Sequence, residues 1–440
     1  MSFAADRQTL DDLSLFPKDQ RQSVLSLFGK TQTIGGQEVL ALLFSKPLDS
    51  RAEIKDRLAV FRYLQQHRAV FKSDRNTCDF AEFYLKGQNT RKSFPILTGL
   101  INQLIYALNS NNDYYISKQG VASVLLLLEN LLIFTNQLTV SAPKIFWDQR
   151  AAILIAFTES EWDLVKQWIA KPKLTAADIA RANHLFRNKA YSELKGLLDI
   201  AYHLDAFQTI SVNSAASGFT VPDLEEDGGP GLILKGLFHP FINNPVDNDI
   251  EFRTDQNVCF VTGTNMAGKS TLLKALGISV YLSQLGFPVP ASYMKTSFFE
   301  GLMSTINLPD DIDQGQSHFY REVLRVKQVA EQVSRSKNMF VIFDELFRGT
   351  NVKDAYDASL AIISAFANVR SSLFVVSTHI VEVAHQLSAI SNIDFRYMET
   401  IFDNDHPVNS YKLRSGITEE RLGMWIVKNE KILELIQGRS

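Results

Sequence analysis

Residues 258–271 read VCFVTGTNMAGKST, and the chain then continues into the helical pattern LLKALGISVYL. The apolar, β-branched run at 258–262 predicts a strand. From Gly263 the chain fits G-x-x-x-x-G-K-[ST] without a gap, through Gly263, Thr264, Asn265, Met266, Ala267, Gly268, Lys269 and Ser270, with Thr271 next. Glycines let successive backbone N–H groups converge on anionic oxygens, and the following helix aims the positive end of its dipole at them. In such a loop Lys269 reaches the β- and γ-phosphates of a nucleotide, and the Ser270 hydroxyl ligates Mg²⁺. Strand, loop and helix in that order predict a phosphate-binding turn.

Two further runs extend the pattern. Residues 339–345 (MFVIFDE) lead five apolar residues into Asp344 and Glu345. At a strand's carboxyl end Asp344 would hold Mg²⁺ through water, and Glu345 would polarise the attacking water. Residues 373–377 (LFVVS) run into Thr378 and His379, which puts a titratable ring in the position of a γ-phosphate sensor. Strands that alternate with helical patterns predict a parallel sheet covered by helices.

Outward from this core the texture changes. Residues 11–205 are rich in Leu, Ala, Gln, Lys and Arg, with apolar residues every three or four positions, as at Ile54, Leu58, Phe61 and Leu64. Residues 221–232 (VPDLEEDGGPGL) are acidic and dense in Gly and Pro, which marks a linker. The expected division is therefore a helical domain at 1–220, a linker at 221–232 and a nucleotide-binding domain at 233–440.

Composition removes other classes. With 440 residues, 45% hydrophobic and 21% charged, the chain reads as globular rather than collagen-like or disordered. Cys78 and Cys259 are too few and too far apart for a metal cluster or a disulfide framework, which suits a cytoplasmic protein. The longest apolar stretch, 121–134, has 14 residues and carries Glu129 and Asn130, so a core helix is expected and no membrane partner. Net charge is −3, and residues 1–230 balance at 25 basic and 25 acidic side chains. Locally, 51–100 is basic, ten against five, through Arg51, Arg57, Arg62, Arg68 and Arg75 among others.

Taken together, GTNMAGKST, FVIFDELFRGTN and VVSTHIVEV resemble the ATPase domain of the MutS family of DNA mismatch repair proteins, a branch of the ABC-type ATPases. Residues 286–291 (GFPVPA), 310–322 (DDIDQGQSHFYRE), His239-Pro240, Asn248-Asp249 and Tyr411-Lys412-Leu413 are similar to further stretches of that domain. Thr33 to Leu43, Lys46 to Asp49, Ile54 and Arg57 resemble the opening of the family's helical core or lever domain. The resemblance implies an α-helical lever/core domain followed by an α/β P-loop ATPase domain of ABC type. It also implies ATP and Mg²⁺ as cofactors, and a homodimer through the ATPase domains in which Ser317 caps the γ-phosphate in trans. Pro245 or Val246 lies where the family has an apolar stacking residue.

Departures from the family pattern shape the functional expectation. The mismatch-recognition domain that precedes the lever is expected to be missing, and the helical region is short for a full DNA clamp. Phe347 stands where the family has Gly, and Thr264 and Ala267 replace Pro and Gly in the loop. The first reading is an ATPase in DNA repair or recombination that moves helical arms on DNA, alone or with a repair-protein partner. The alternative is a nucleotide-gated scaffold that binds protein and not DNA. A small-molecule phosphotransferase is the third reading, and it lacks a recognisable substrate-binding insertion.

Overall fold

The structure, a computed structural model, describes the chain except residues 1–2, 19–21, 68–70, 73, 88–110, 159–161, 226–228, 254, 265, 307–317, 348, 404–405, 419–428 and 430–440. The described helices are α1 (Arg7–Asp12), α2 (Ile34–Ser45), α3 (Arg51–Gln66), α4 (Arg75–Lys86), α5 (Asn111–Gln137), α6 (Lys144–Ala156), α7 (Trp162–Ala170), α8 (Ala176–His184), α9 (Tyr191–Ala216), α10 (Lys269–Gln284), α11 (His318–Arg335), α12 (Val352–Ala367) and α13 (Val381–Leu387). The described strands are β1 (Asp223–Leu224), β2 (Leu232–Leu237), β3 (Asn248–Phe252), β4 (Val258–Thr262), β5 (Tyr293–Thr296), β6 (Gly301–Thr305), β7 (Met339–Asp344), β8 (Leu373–Ser377), β9 (Ile393–Asp403) and β10 (His406–Ser415). The chain divides into two compact units. One comprises Met1–Ser26, Pro47–Lys55 and Ala216–Ser440; the other comprises Leu27–Lys46 and Asp56–Ala215.

The second unit is helical. Thr33 caps α2 and donates its hydroxyl to buried Asp205 of α9, which also accepts from the Thr33 and Gln32 backbone N–H groups. A glycine at 120 lets α5 lie against α4, since a Cβ there would fall 2.1 Å from the Tyr84 ring. The Tyr84 hydroxyl donates to Asn183, and the Arg187 guanidinium sits 4.4 Å over its ring. Residues 114–137 of α5 are long and apolar enough to cross a membrane, yet half of their apolar window is buried in this unit, with Val124, Leu128 and Leu131 fully enclosed. Cys78 is also buried here, and burial together with the Asp205 and Asp79 carboxylates pushes its thiol up to about 12.

The first unit holds two mixed sheets. Six strands run in the order β10-β9-β4-β8-β7-β6, with every neighbouring pair from β9 to β6 parallel and β10 antiparallel to β9. Strands β4, β6, β7 and β8 are buried at every position, as parallel strands covered on both faces must be. Because β4, β7 and β8 point the same way, the segments that follow them emerge at one edge of the sheet, where ligands of open α/β sheets bind. The smaller sheet has the order β1-β5-β2-β3.

The first residues of the chain belong to this unit, although the sequence reading put 1–220 in the helical domain. Ala4 pairs with Gly301 on the outer edge of β6. Leu13 lies where a Cβ at Gly277 of α10 would fall, so helix and N-terminal segment interlock. Asp12 is buried and accepts from Ser304 Oγ at 2.7 Å and the Ile306 N–H at 2.9 Å. Arg325 of α11, 5% exposed, donates to the Ser304 carbonyl at 2.6 Å and pairs with Asp6. Burial raises the Asp6 carboxyl, but the hydrogen bonds from Arg325 and Thr9 outweigh it and hold it below its ordinary value. These contacts are long-range pairings of ordinary polar residues, and no local pattern announces them. Residues 223–224 and 232, inside the expected linker, are strand residues of the smaller sheet.

Candidate nucleotide-binding site

The turn after β4 takes backbone conformations that only part of the amino-acid alphabet tolerates. Gly263 has φ +147° and Gly268 has φ +99°, both in the region that favours glycine. Neither could carry a side chain freely: a Cβ on Gly263 would lie 3.2 Å from Met398, and one on Gly268 would lie 3.2 Å from the Tyr411 ring. Met266 also has positive φ, at +68°, and is 90% exposed at the tip of the loop. Its carbonyl accepts from Asn409 of β10.

Gly268 caps α10, whose first turn carries Lys269, Ser270 and Thr271. The Lys269 side chain, 5% exposed, turns back across the loop and donates to the carbonyls of Gly263 at 2.8 Å and Thr264 at 3.0 Å. Its ammonium is 3.8 Å from Glu345 Oε1. Ser270 Oγ donates to Asp344 Oδ2 at 2.5 Å, and Ser377 Oγ donates to the other oxygen of the same carboxylate. Glu345 Oε2 is 3.6 Å from His379 Nδ1. Lys269, Ser270, Asp344, Glu345 and His379, drawn from three strand ends, therefore form one connected cluster. Among the described residues the buried hydroxyl of Thr264 has no hydrogen-bond partner, and Ala267 is fully buried. Asn265 and Ser317 lie outside the described residues.

The segment after the two acids is held unusually. Glu345 has φ +56° and Phe347 has φ +63°, left-handed values that cost a residue with a Cβ. Glu345 is fixed by its N–H, which donates to the Ser377 carbonyl at 2.9 Å. Phe347, 2% exposed, packs its ring 5.6 Å from Phe319 of α11. Two residues on, the Gly349 N–H donates to Glu322, a buried carboxylate of α11 that is also 3.6 Å from His318. Phe319 and Glu322, picked out in the sequence only by resemblance, thus brace the backbone behind Glu345.

Two residues of the site are marked in the sequence by their position, but their partners are not. Ser377 was visible as the end of a strand, but its grip on Asp344 depends on β7 and β8 being neighbours. Asn248 donates Nδ2–H to the Tyr411 carbonyl at 2.9 Å and accepts from the Leu413 N–H at 2.7 Å, tying the turn before β3 to β10. That turn includes Pro245 and Val246, the latter 37% exposed.

The donor set fits a triphosphate and a hard cation. Two glycines at positive φ with little room for a side chain leave the loop backbone bare, an ammonium lies across it, and a hydroxyl and a carboxylate oxygen stand side by side as Mg²⁺ prefers.

Residues 259–437 match the family model of MutS domain V. The chain is 26% identical over 225 residues, half of its length, to DNA mismatch repair protein spellchecker 1 of Drosophila melanogaster. It is 25% identical over 253 residues, 56% of its length, to DNA mismatch repair protein MutS of Halalkalibacterium halodurans. It is 27% identical over 237 residues, 51% of its length, to MutS protein homolog 4 of Mus musculus. The matched stretches span 24%, 29% and 24% of those relatives, so the chain matches about a quarter of each.

Proposed function

We propose, from the match of residues 259–437 to the family model of MutS domain V, that the chain is a protein of the MutS family that binds ATP with Mg²⁺ and hydrolyses it to ADP and phosphate in DNA repair or recombination. The observation that carries this reading is the meeting of Lys269, Ser270, Asp344, Glu345 and His379 at one sheet edge.

When bound, the ion neutralises charge on the phosphate oxygens. The chain's own groups do the rest. Loop N–H groups and Lys269 bind the phosphates, and Ser270 and Asp344 offer oxygens to the ion. Glu345 orients the attacking water and accepts its proton, while His379 beside it steadies the carboxylate and senses the terminal phosphate. Held at positive φ by the Ser377 carbonyl and braced behind by Phe347, Glu345 has little freedom to leave that position.

The reading extends to assembly. Two copies would meet through their ATPase domains, with Ser317 of one completing the site of the other, so that ATP favours association and hydrolysis releases it. DNA is the proposed surface on which the helical domain moves, with a repair protein as a further partner. A scaffold that binds only protein is distinguished by salt, because phosphate contacts give a steep fall of log affinity with log salt concentration.

The test is Glu345→Gln. This chain should still bind ATP, hydrolyse it at least about a hundredfold more slowly, and accumulate as an ATP-loaded dimer in sedimentation. Wild-type turnover in that variant, or failure of the wild-type protein to bind ATP, overturns the assignment.

A further inference from the structure

Asp344 has two carboxylate oxygens, and the fold treats them differently. Oδ2 stands 2.5 Å from Ser270 Oγ, in the first turn of the helix that follows the phosphate loop. Oδ1 accepts from Ser377 Oγ, the hydroxyl of a fully buried residue. That second contact is a matter of register. Strands β7 and β8 are parallel with Asp344 directly opposite Ser377, so the two side chains leave the sheet on the same face.

Ser377 reaches the neighbouring acid as well, but through its main chain. Its carbonyl accepts from the Glu345 N–H at 2.9 Å, with Glu345 at φ +56°. The hydroxyl therefore acts on Asp344 and the carbonyl on Glu345, and a side-chain substitution at 377 removes the first contact while keeping the second. The next hydroxyl along the chain is engaged elsewhere: Thr378 Oγ1 accepts from the Ile380 N–H at 3.0 Å, in the turn that leads to α13.

The consequence lies in what the carboxylate can offer a cation. Mg²⁺ demands near-octahedral oxygens at about 2.0–2.1 Å and keeps several of its waters, whereas Ca²⁺ takes about six to eight oxygens at roughly 2.3–2.6 Å and accepts a carboxylate through both oxygens at once. Ser377 withholds Oδ1 and turns Oδ2 towards Ser270. The terminal torsion of an aspartate is otherwise soft, so without the hydroxyl the carboxylate can swing and present both oxygens.

We propose that Ser377 determines the choice of cation at this site: by engaging Oδ1 it presents Asp344 through Oδ2 alone, which favours Mg²⁺ over the larger Ca²⁺. Ser377 acts through Asp344, as a positioning residue. The inference rests on the nucleotide-binding reading and adds to it the selectivity of the ion site.

The experiment is titration calorimetry of the full chain with ATP in the presence of Mg²⁺, of Ca²⁺, or of a chelator, on the wild type, Ser377→Ala and Ser377→Thr. The wild type should bind the Mg²⁺ complex more tightly than the Ca²⁺ complex. Ser377→Ala should weaken the Mg²⁺ complex about tenfold and leave the Ca²⁺ complex unchanged or tighter, so that the ratio of the two affinities falls by at least about tenfold. Ser377→Thr keeps the hydroxyl and should hold that ratio within about twofold of the wild type. Binding of ATP with the chelator should be the same in all three, because the loop and Lys269 are untouched. An unchanged ratio in Ser377→Ala, an equal loss for both ions, a loss that extends to ATP without any ion, or a Thr variant that behaves as the Ala variant overturns the role of Ser377 while leaving the phosphate site standing. A wild-type protein that binds ATP under none of the three conditions overturns the nucleotide-binding reading, and this inference with it.

Discussion

Ser270 Oγ and Asp344 Oδ2 lie 2.5 Å apart, although 74 residues separate them in the chain. The hydroxyl comes from the first turn of α10 and the carboxylate from the end of β7, two strands away from β4 across β8. Ser377 of that intervening strand holds the other carboxylate oxygen, so three successive strands fix one acid.

Asp344→Asn keeps the shape of this junction and removes its charge. The expected outcome is a loss of Mg²⁺ affinity of roughly 10–100-fold, with nucleotide binding in the absence of the ion preserved. A metal titration of ATP turnover checks it; an unchanged midpoint would remove Asp344 from the ion's surroundings.

Phe347→Gly sets two effects against each other. Glycine relieves the left-handed strain, worth about 1 kcal/mol, but deletes a buried ring packed on Phe319, and truncating a buried Phe costs about 3–5 kcal/mol. Burial wins, and the variant should lose about 2–4 kcal/mol in denaturant unfolding. A variant as stable as the wild type would mean that the strain at 347 is far larger than the packing.

Asp12→Ala should destabilise the sheet-bearing unit by about 2–4 kcal/mol, because it strips the partner from Ser304 Oγ and the Ile306 N–H, both buried at the end of β6. Hydrogen exchange gives the local readout: the amides of β6 should lose protection first. Uniform protection across the sheet would show that the N-terminal segment is not a brace.

His239 supplies the pH dependence. Burial, with Lys274 nearby, lowers its imidazole from 6.5 to about 4, and its Nδ1 accepts from the Phe241 N–H. A depressed value means that the unfolded chain binds the proton more readily, so stability is lost as pH falls from about 6.5 towards 4. His239→Asn should flatten that part of the unfolding profile; an unchanged slope between those values would assign it to other groups.

The strands at 258–262, 339–344 and 373–377 were readable because each is an unbroken apolar run ended by a small set of polar residues. Their chemistry could be read as well, since a glycine-rich loop, a terminal acid pair and a terminal histidine are local features. Local pattern could not reveal that residues 3–15 cover the edge of β6, that Arg325 pairs with Asp6, or that Asn248 fastens β10. Each of these is a contact between distant segments made by residues that look the same on any surface.

The sequence by itself determined the phosphate loop, the acids and histidine that answer it, and the contrast between a helical part and a sheet-bearing part, because spacing and hydrophobic period are properties of neighbouring residues. Only the tertiary structure decided which strands lie side by side, and hence that Ser377 steadies Asp344, that Glu345 and Phe347 are held at positive φ, and that Tyr411 faces Gly268. Strand order and bulge register are set by packing over the whole sheet, and no window of sequence contains that sum.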